Sequence, residues 1–192
     1  VTDMHDFMDA IGLQQVHYLG ESIGGILGVV FATRWPERLK SLTICNSPTA
    51  IHAPAEKALS GQHGDVKSAL ATSGSRGWGQ ILIEQKVISG KNLAHIEWVL
   101  NEWAKTPTHV LQGITRTLDG ADTAPLLSQI SVPALILAPA RSPITPLTDQ
   151  LMMRKEIPNA RITIVEGPGH EIYVDEPEEC QNALLKFLRS LT

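Results

Sequence analysis

The chain has 192 residues, a formal net charge of −4 and 43% hydrophobic residues, enough apolar material for one globular domain, or one domain with an insert, around a sizeable core. There is no basic stripe, which argues against a nucleic-acid partner, and no apolar run of membrane-spanning length, which argues against a membrane-embedded role. The two cysteines, Cys45 and Cys180, are far apart, so no disulfide framework is indicated; a reducing, cytoplasmic setting is the expectation.

Taken in order, the chain opens at Val1 directly into a helix-like segment, with no leader to read. Thr2 is the expected cap of this helix, Met4, Phe7, Met8 and Ile11 its buried stripe, and Gly12 its end. Val16-His17-Tyr18-Leu19 suits a short buried strand. Gly20-Glu21-Ser22-Ile23-Gly24 follows at once, and Ile26, Leu27, Val30 and Phe31 then recur at helical spacing up to Trp35-Pro36. Glu37 to Lys40 reads as a polar turn, and Leu42 to Cys45 as a second strand ended by Asn46-Ser47-Pro48. Helix, strand, helix, strand predicts a parallel sheet with crossover helices.

From Ile51 to Gln129 strand rhythm is lost. Helices are expected over Val66 to Ala71, Trp78 to Lys86, Leu93 to Ala104 and Thr108 to Leu118, with turns at Ser73-Gly74 and Gly90-Lys91-Asn92. Trp78, Trp98 and Trp103 fall here, either as packing within the helical segment or as an apolar pocket wall. Strand rhythm returns at Ala134 to Ala138. A loop from Pro139 to Pro146, a helix from Thr148 to Glu156, a strand from Arg161 to Val165, a turn at Gly167-Pro168-Gly169-His170 and a helix from Ala183 to Leu191 complete the chain.

The chemistry centres on Ser22. A bare G-x-S-x-G arises by chance in roughly one chain in twenty of this length, given ordinary glycine usage. Between a strand and a helix, however, it has the context of a nucleophile elbow, in which a strained serine stands exposed above the sheet with a helix N-terminus behind it. A serine hydroxyl needs a base within reach. Of the seven histidines, His170 follows the last strand in a glycine-rich turn, at the sheet edge where ligands collect. His17 lies inside the elbow strand, and His5, His52, His63, His95 and His109 on helices, their flanks or a loop, where surface or packing roles are expected. No cluster of His and Cys has metal-ligand spacing, so neither a metal nor an organic cofactor is implied.

Leu19 to Gly25, Trp35-Pro36-Glu37-Arg38, Val132-Pro133-Ala134-Leu135, Gly167 to His170 and Asp175-Glu176-Pro177 together resemble the α/β-hydrolase fold superfamily, in particular its capped esterases, enol-lactonases and carbon–carbon bond hydrolases. The resemblance implies a partial α/β-hydrolase parallel sheet from about strand five onward, with residues 1–50 and 130–192 as core and 51–129 as a helical cap. It implies that an N-terminal part of the same fold, with a loop supplying one oxyanion donor, belongs before Val1. Ser22 then matches the nucleophile, His170 the base and the Ile23 backbone N–H one oxyanion donor, for a small ester, thioester or lactone substrate.

The acid departs from the family pattern. Ser142, in Arg141-Ser142-Pro143-Ile144-Thr145-Pro146, stands where Asp is usual, and the other family acid position holds Cys45-Asn46-Ser47. Asp149 is one candidate acid. A carboxylate-free arrangement oriented by Ser142 or Asn46 is another, and Asp119 or Asp122 from the insert, a residue outside this chain, or no hydrolysis at all are the others. Glu21 and Glu171, beside the two main candidates, are expected to be structural, and Gly25 and Gly28 to let the helix approach the sheet. The rival to the enzyme reading is a ligand-binding module on the same fold.

Overall fold

A computed structural model describes residues 1–90 and 92–191; the expected turn at Gly90-Lys91-Asn92 lies partly outside them, at Lys91. Four parallel strands, β1 (Val16–Glu21), β2 (Leu39–Cys45), β3 (Ala134–Pro139) and β4 (Ala160–Val165), lie side by side in chain order. Each returns to its neighbour through a helical connection, because parallel strands cannot be joined by a hairpin.

Period-two alternation divides the core. From β3, Ala134, Ile136 and Ala138 face one way, joining Leu42 and Ile44 of β2. They pack with Val29, Phe31 and Ala32 of α2 (Ile23–Arg34), Met153 of α7 (Leu147–Glu156) and Met8 of α1 (Thr2–Ala10). Leu135 and Leu137 face the other way with Cys45 and Val165, against Cys180 and Phe187 of α9 (Pro177–Arg189). β1 forms one edge, where Leu19 is 48% exposed; of the described elements it is paired with β2 alone.

Between β2 and β3 the described residues form α3 (Ala53–Ser60), α4 (Val66–Glu84), α5 (Leu93–Lys105) and α6 (Thr108–Leu118), with their own apolar cluster. The segment is pinched at its base. Thr123 gives both its backbone N–H and its hydroxyl to the Thr49 carbonyl, and Ala50 bridges to Asp122. Trp78 is buried, donates its indole N–H to the Leu59 carbonyl and meets Trp103 edge-on at 5.1 Å, whereas Trp98 is 59% exposed.

Several local expectations shift. Val1 rather than Thr2 occupies the cap of α1, and no side-chain bond closes it. β2 begins at Leu39, inside the stretch read as a polar turn, because Ser41 is buried and satisfied by His17 Nδ1 at 2.8 Å. The two helices expected on either side of Ser73-Gly74 run together as α4, kinked at Gly74, whose φ of +64° breaks the helical path. α9 starts six residues before Ala183, at Pro177, with Glu178 and Glu179 in its first turn. Both α3 and the single turn α8 (Ile172–Asp175) fall outside the expected elements.

Both cysteines are free and buried. Burial pushes the Cys45 thiol far above its ordinary value, with lesser contributions from Cys180 and Glu21. Burial, then Glu179 and Glu176, push Cys180 up to about 11. The thiolate is the reactive species, so neither should react with a disulfide reagent near neutral pH until denaturant is added, when both should. An unfolded thiol ionises near 8.5, below both folded values, so the unfolded chain loses these protons first. Stability is therefore full below about pH 8.5 and should fall as pH rises toward 11, read as a declining thermal midpoint.

Candidate active site

Ser22 is the last residue before α2, in a conformation that few residues other than glycine adopt, φ +50° and ψ −115°. Such a residue costs about 1–3 kcal/mol and persists only where its surroundings hold it. They do so here. The Ser22 N–H donates to the Cys45 carbonyl at the end of β2, 3.0 Å. Its own carbonyl accepts from the Gly25 and Ile26 N–H groups and from the Ser47 hydroxyl at 2.7 Å. Tyr18 ties the next turn by donating its hydroxyl to the Gly24 carbonyl, 2.7 Å. The Ser22 side chain makes no cap bond to its helix. Ile23 opens α2, where N–H groups have no intrahelical partner and point toward any anion formed beside Ser22.

The glycines permit this turn by close approach. A Cβ at Gly20 would run into the Gly24 carbonyl and lie 2.7 Å from the Gly25 nitrogen; one at Gly28 would lie 2.9 Å from Leu42 Cδ1 and strike the Tyr18 ring. Gly25 faces Ser47 in the same way.

His170 follows β4 and is buried, 3% exposed. Its Nδ1 meets two hydroxyls, Ser142 Oγ at 3.0 Å and Thr145 Oγ1 at 3.3 Å, both from the loop after β3. Its Nε2 makes no hydrogen bond among the described residues, but Glu21 Oε1 lies 3.4 Å from it. Glu21, expected to be structural, has its carboxylate beside the elbow serine facing the histidine. Ser22 and His170 stand at the same carboxyl edge of the sheet without a hydrogen bond between them.

The other candidates are not brought to the imidazole. Asp149 lies in the first turn of α7, where its carboxylate accepts from the Thr148 hydroxyl at 3.4 Å. Asp122 accepts the Ala124 N–H, and Asp119 is exposed at the end of α6. Asn46 is fully buried at φ +48°, and neither atom of its amide has a hydrogen-bond partner among the described residues. Glu171 accepts from the Ser89 N–H at 2.7 Å and the Tyr173 hydroxyl at 3.2 Å, and so binds the insert rather than the ring. Thr145 and the contact of Glu21 were not anticipated from sequence. The only signal for Thr145 was its place three residues beyond Ser142, in a loop already expected to carry the acid.

A cleft of about 400 Å³ lies between the insert and the histidine turn, lined in part by Ile83, Ile88, Ser89, Pro168 and Asp175; neither Ser22 nor His170 is part of its wall. Among the described residues no group of three or more His, Cys, Asp or Glu could hold a metal ion, and no helix is long and apolar enough to cross a membrane.

A strained serine between strand and helix, with a histidine after the last strand of a parallel sheet, defines the α/β-hydrolase arrangement. The family model described as alpha/beta hydrolase fold matches residues 1–177, and the chain belongs to that family. It is a hydrolase of that fold. It is similar to 3-oxoadipate enol-lactonase 1 of Acinetobacter baylyi, 26% identical over 195 residues that cover 98% of this chain and 70% of the relative. Among solved structures, a hydrolase from Pseudomonas aeruginosa PA01 superimposes with a TM-score of 0.84 at 22% identity, covering 97% of this chain and 69% of that one. The enol-lactonase from Burkholderia xenovorans LB400 gives 0.84 at 18% identity, covering 97% and 70%. These two likenesses establish the fold.

The elbow yields a direct test. Gly20→Ala places a methyl group against backbone that cannot turn aside, so the cost should reach the upper end of overpacking losses, about 3 kcal/mol. Urea unfolding measures it. A loss below about 1 kcal/mol would mean that the turn opens without harm to the fold.

Proposed function

We propose that the chain is a serine hydrolase of a small carboxylic ester, thioester or lactone, working through an acyl-enzyme. The observation that carries this reading is the backbone of Ser22, held in strain by Cys45 and Ser47 at the edge where His170 is buried. A fold has no packing need for such a serine, whereas a nucleophile presented above a sheet does.

In this reading Ser22 Oγ attacks the substrate carbonyl while His170 Nε2 takes its proton. The Ile23 N–H, at the positive end of α2, stabilises the oxyanion. The leaving alkoxide, thiolate or enolate receives the proton from His170. Water, deprotonated by the same nitrogen, then releases the acid and regenerates Ser22. The lactonase among its relatives supports the ester and lactone class. Residues 51–129 are assigned as a cap that shapes the substrate site, with residues 1–50 and 130–192 as the core.

One observation favours a second reading, a ligand-binding module with little turnover: among the described residues, Nδ1 of His170 meets two hydroxyls and no carboxylate. A carboxylate there stabilises the imidazolium, and losing it costs about 10⁴ in turnover where it has been measured.

A fluorophosphonate probe separates the two. The hydrolase reading expects covalent labelling, lost in Ser22→Ala and slowed at least a hundredfold in His170→Ala, with p-nitrophenyl acetate hydrolysis falling in parallel. Labelling that persists in Ser22→Ala would place the nucleophile elsewhere, and no labelling of the parent protein would leave the binding module.

A further inference from the structure

The hydrogen bonds around Ser142 fix the direction of its bond to the histidine. A serine hydroxyl has one proton to give and two lone pairs with which to accept. Ser142 Oγ already accepts from the Ile144 N–H at 3.2 Å and from the Thr145 N–H at 3.1 Å. Both lone pairs are engaged, so toward His170 Nδ1, 3.0 Å away, Ser142 can act only as donor. A ring nitrogen that accepts a hydrogen bond carries no proton. In the neutral imidazole the proton must then sit on Nε2, which faces Glu21 Oε1 at 3.4 Å. This is the reverse of what a general base at Ser22 requires, namely an unprotonated Nε2.

Thr145 can match either form. Its Oγ1 lies 3.3 Å from the same nitrogen, is fully buried, and makes no second hydrogen bond among the described residues, so it is free to donate to a bare Nδ1 or to accept from an Nδ1–H. One committed donor and one hydroxyl open to either polarity therefore share one ring nitrogen.

We propose that Ser142 sets the tautomer of His170, holding the neutral ring with its proton on Nε2, and that Thr145 Oγ1 is the acceptor that supports the Nδ1–H form able to deprotonate Ser22. Both are positioning residues acting through the histidine. Interconversion passes through the doubly protonated ring: Nδ1 takes a proton from water, Nε2 releases one to water, and no net charge is transferred. Glu21 stands beside the cation formed on the way. The inference deepens the serine-hydrolase reading, since it describes the resting state of the base on which that reading depends. A carboxylate at position 142 would remove the bias, because it has no proton to donate and can accept both the two backbone N–H groups and an Nδ1–H.

Nitrogen-15 NMR of the His170 ring decides the matter without turnover. In the Ser22→Ala protein, with the ring neutral, Nδ1 should show the signal of an unprotonated nitrogen and Nε2 that of a protonated one; Ser142→Asp should exchange them. A protonated Nδ1 in the former, or an unchanged pattern in the latter, overturns the assignment to Ser142. With Ser22 in place, Ser142→Asp should raise the fluorophosphonate labelling rate and kcat at least tenfold, against a ceiling of about 10⁴ set by tautomer reversal in a serine triad. Thr145→Val should lower both about tenfold with KM little changed, and equal rates would overturn the role of Thr145. Should Ser142→Asp fail to fold, the ring signals of the Ser22→Ala protein and the Thr145→Val kinetics still decide. Exchanged ring signals with no labelling of Ser22 in any variant would sustain the tautomer assignment and remove the hydrolase reading.

Discussion

The meeting of Gly20 with the Gly24–Gly25 backbone is the constraint on which the rest of the site depends. It folds the chain from β1 into α2 within a few residues, and so forces Ser22 into positive φ. Inside the turn the Gly25 and Ile26 N–H groups donate to the Ser22 carbonyl; from the end of the neighbouring strand the Cys45 carbonyl accepts the Ser22 N–H and the Ser47 hydroxyl donates to the Ser22 carbonyl. Ser47 is fixed in turn where Gln150 of α7, fully buried, donates its amide to the Ser47 carbonyl at 3.0 Å. The strain at one residue is thus supported by the ends of two strands and a helix, so it cannot relax without disturbing the sheet.

The same loops decide the chemistry of the histidine. In the hydrolase pattern the residue at position 142 would be a carboxylate, with oxygens enough for backbone N–H groups and an imidazole N–H together. Serine supplies one oxygen for the same tasks. The two backbone bonds to Ser142 keep the loop in shape, and the remaining proton is left to point at the ring. The fold tolerates this substitution because the loop's geometry depends on the acceptor, whereas the charge matters only to the reaction.

The elbow was legible in the sequence because its requirements are local: two glycines, a serine between them, a strand before and a helix after. His170 was legible for the similar reason that Gly167-Pro168-Gly169 leaves a side chain at the sheet edge. The orientation of Glu21 was not legible, because it depends on where a chain segment nearly 150 positions away brings its imidazole. Thr145 was hidden because a hydroxyl acquires a role only from the partners that surround it, and those are tertiary. The early start of α9 had a local signal, a proline at its first turn followed by two acids favourable to the positive helix end.

Ser89, between α4 and α5 in the helical insert, holds the histidine turn from above. Its N–H donates to Glu171 and its hydroxyl to Asp175 at 2.6 Å, while Gly169 packs so near the Lys86 carbonyl that a Cβ would lie 2.8 Å from it. Glu171 is the residue directly after His170. Any rigid swing of the insert away from that edge must therefore break both Ser89 bonds or carry the His170 turn with it. Access and alignment are geared together: a site opened in this way has also released or displaced the anchor of its base.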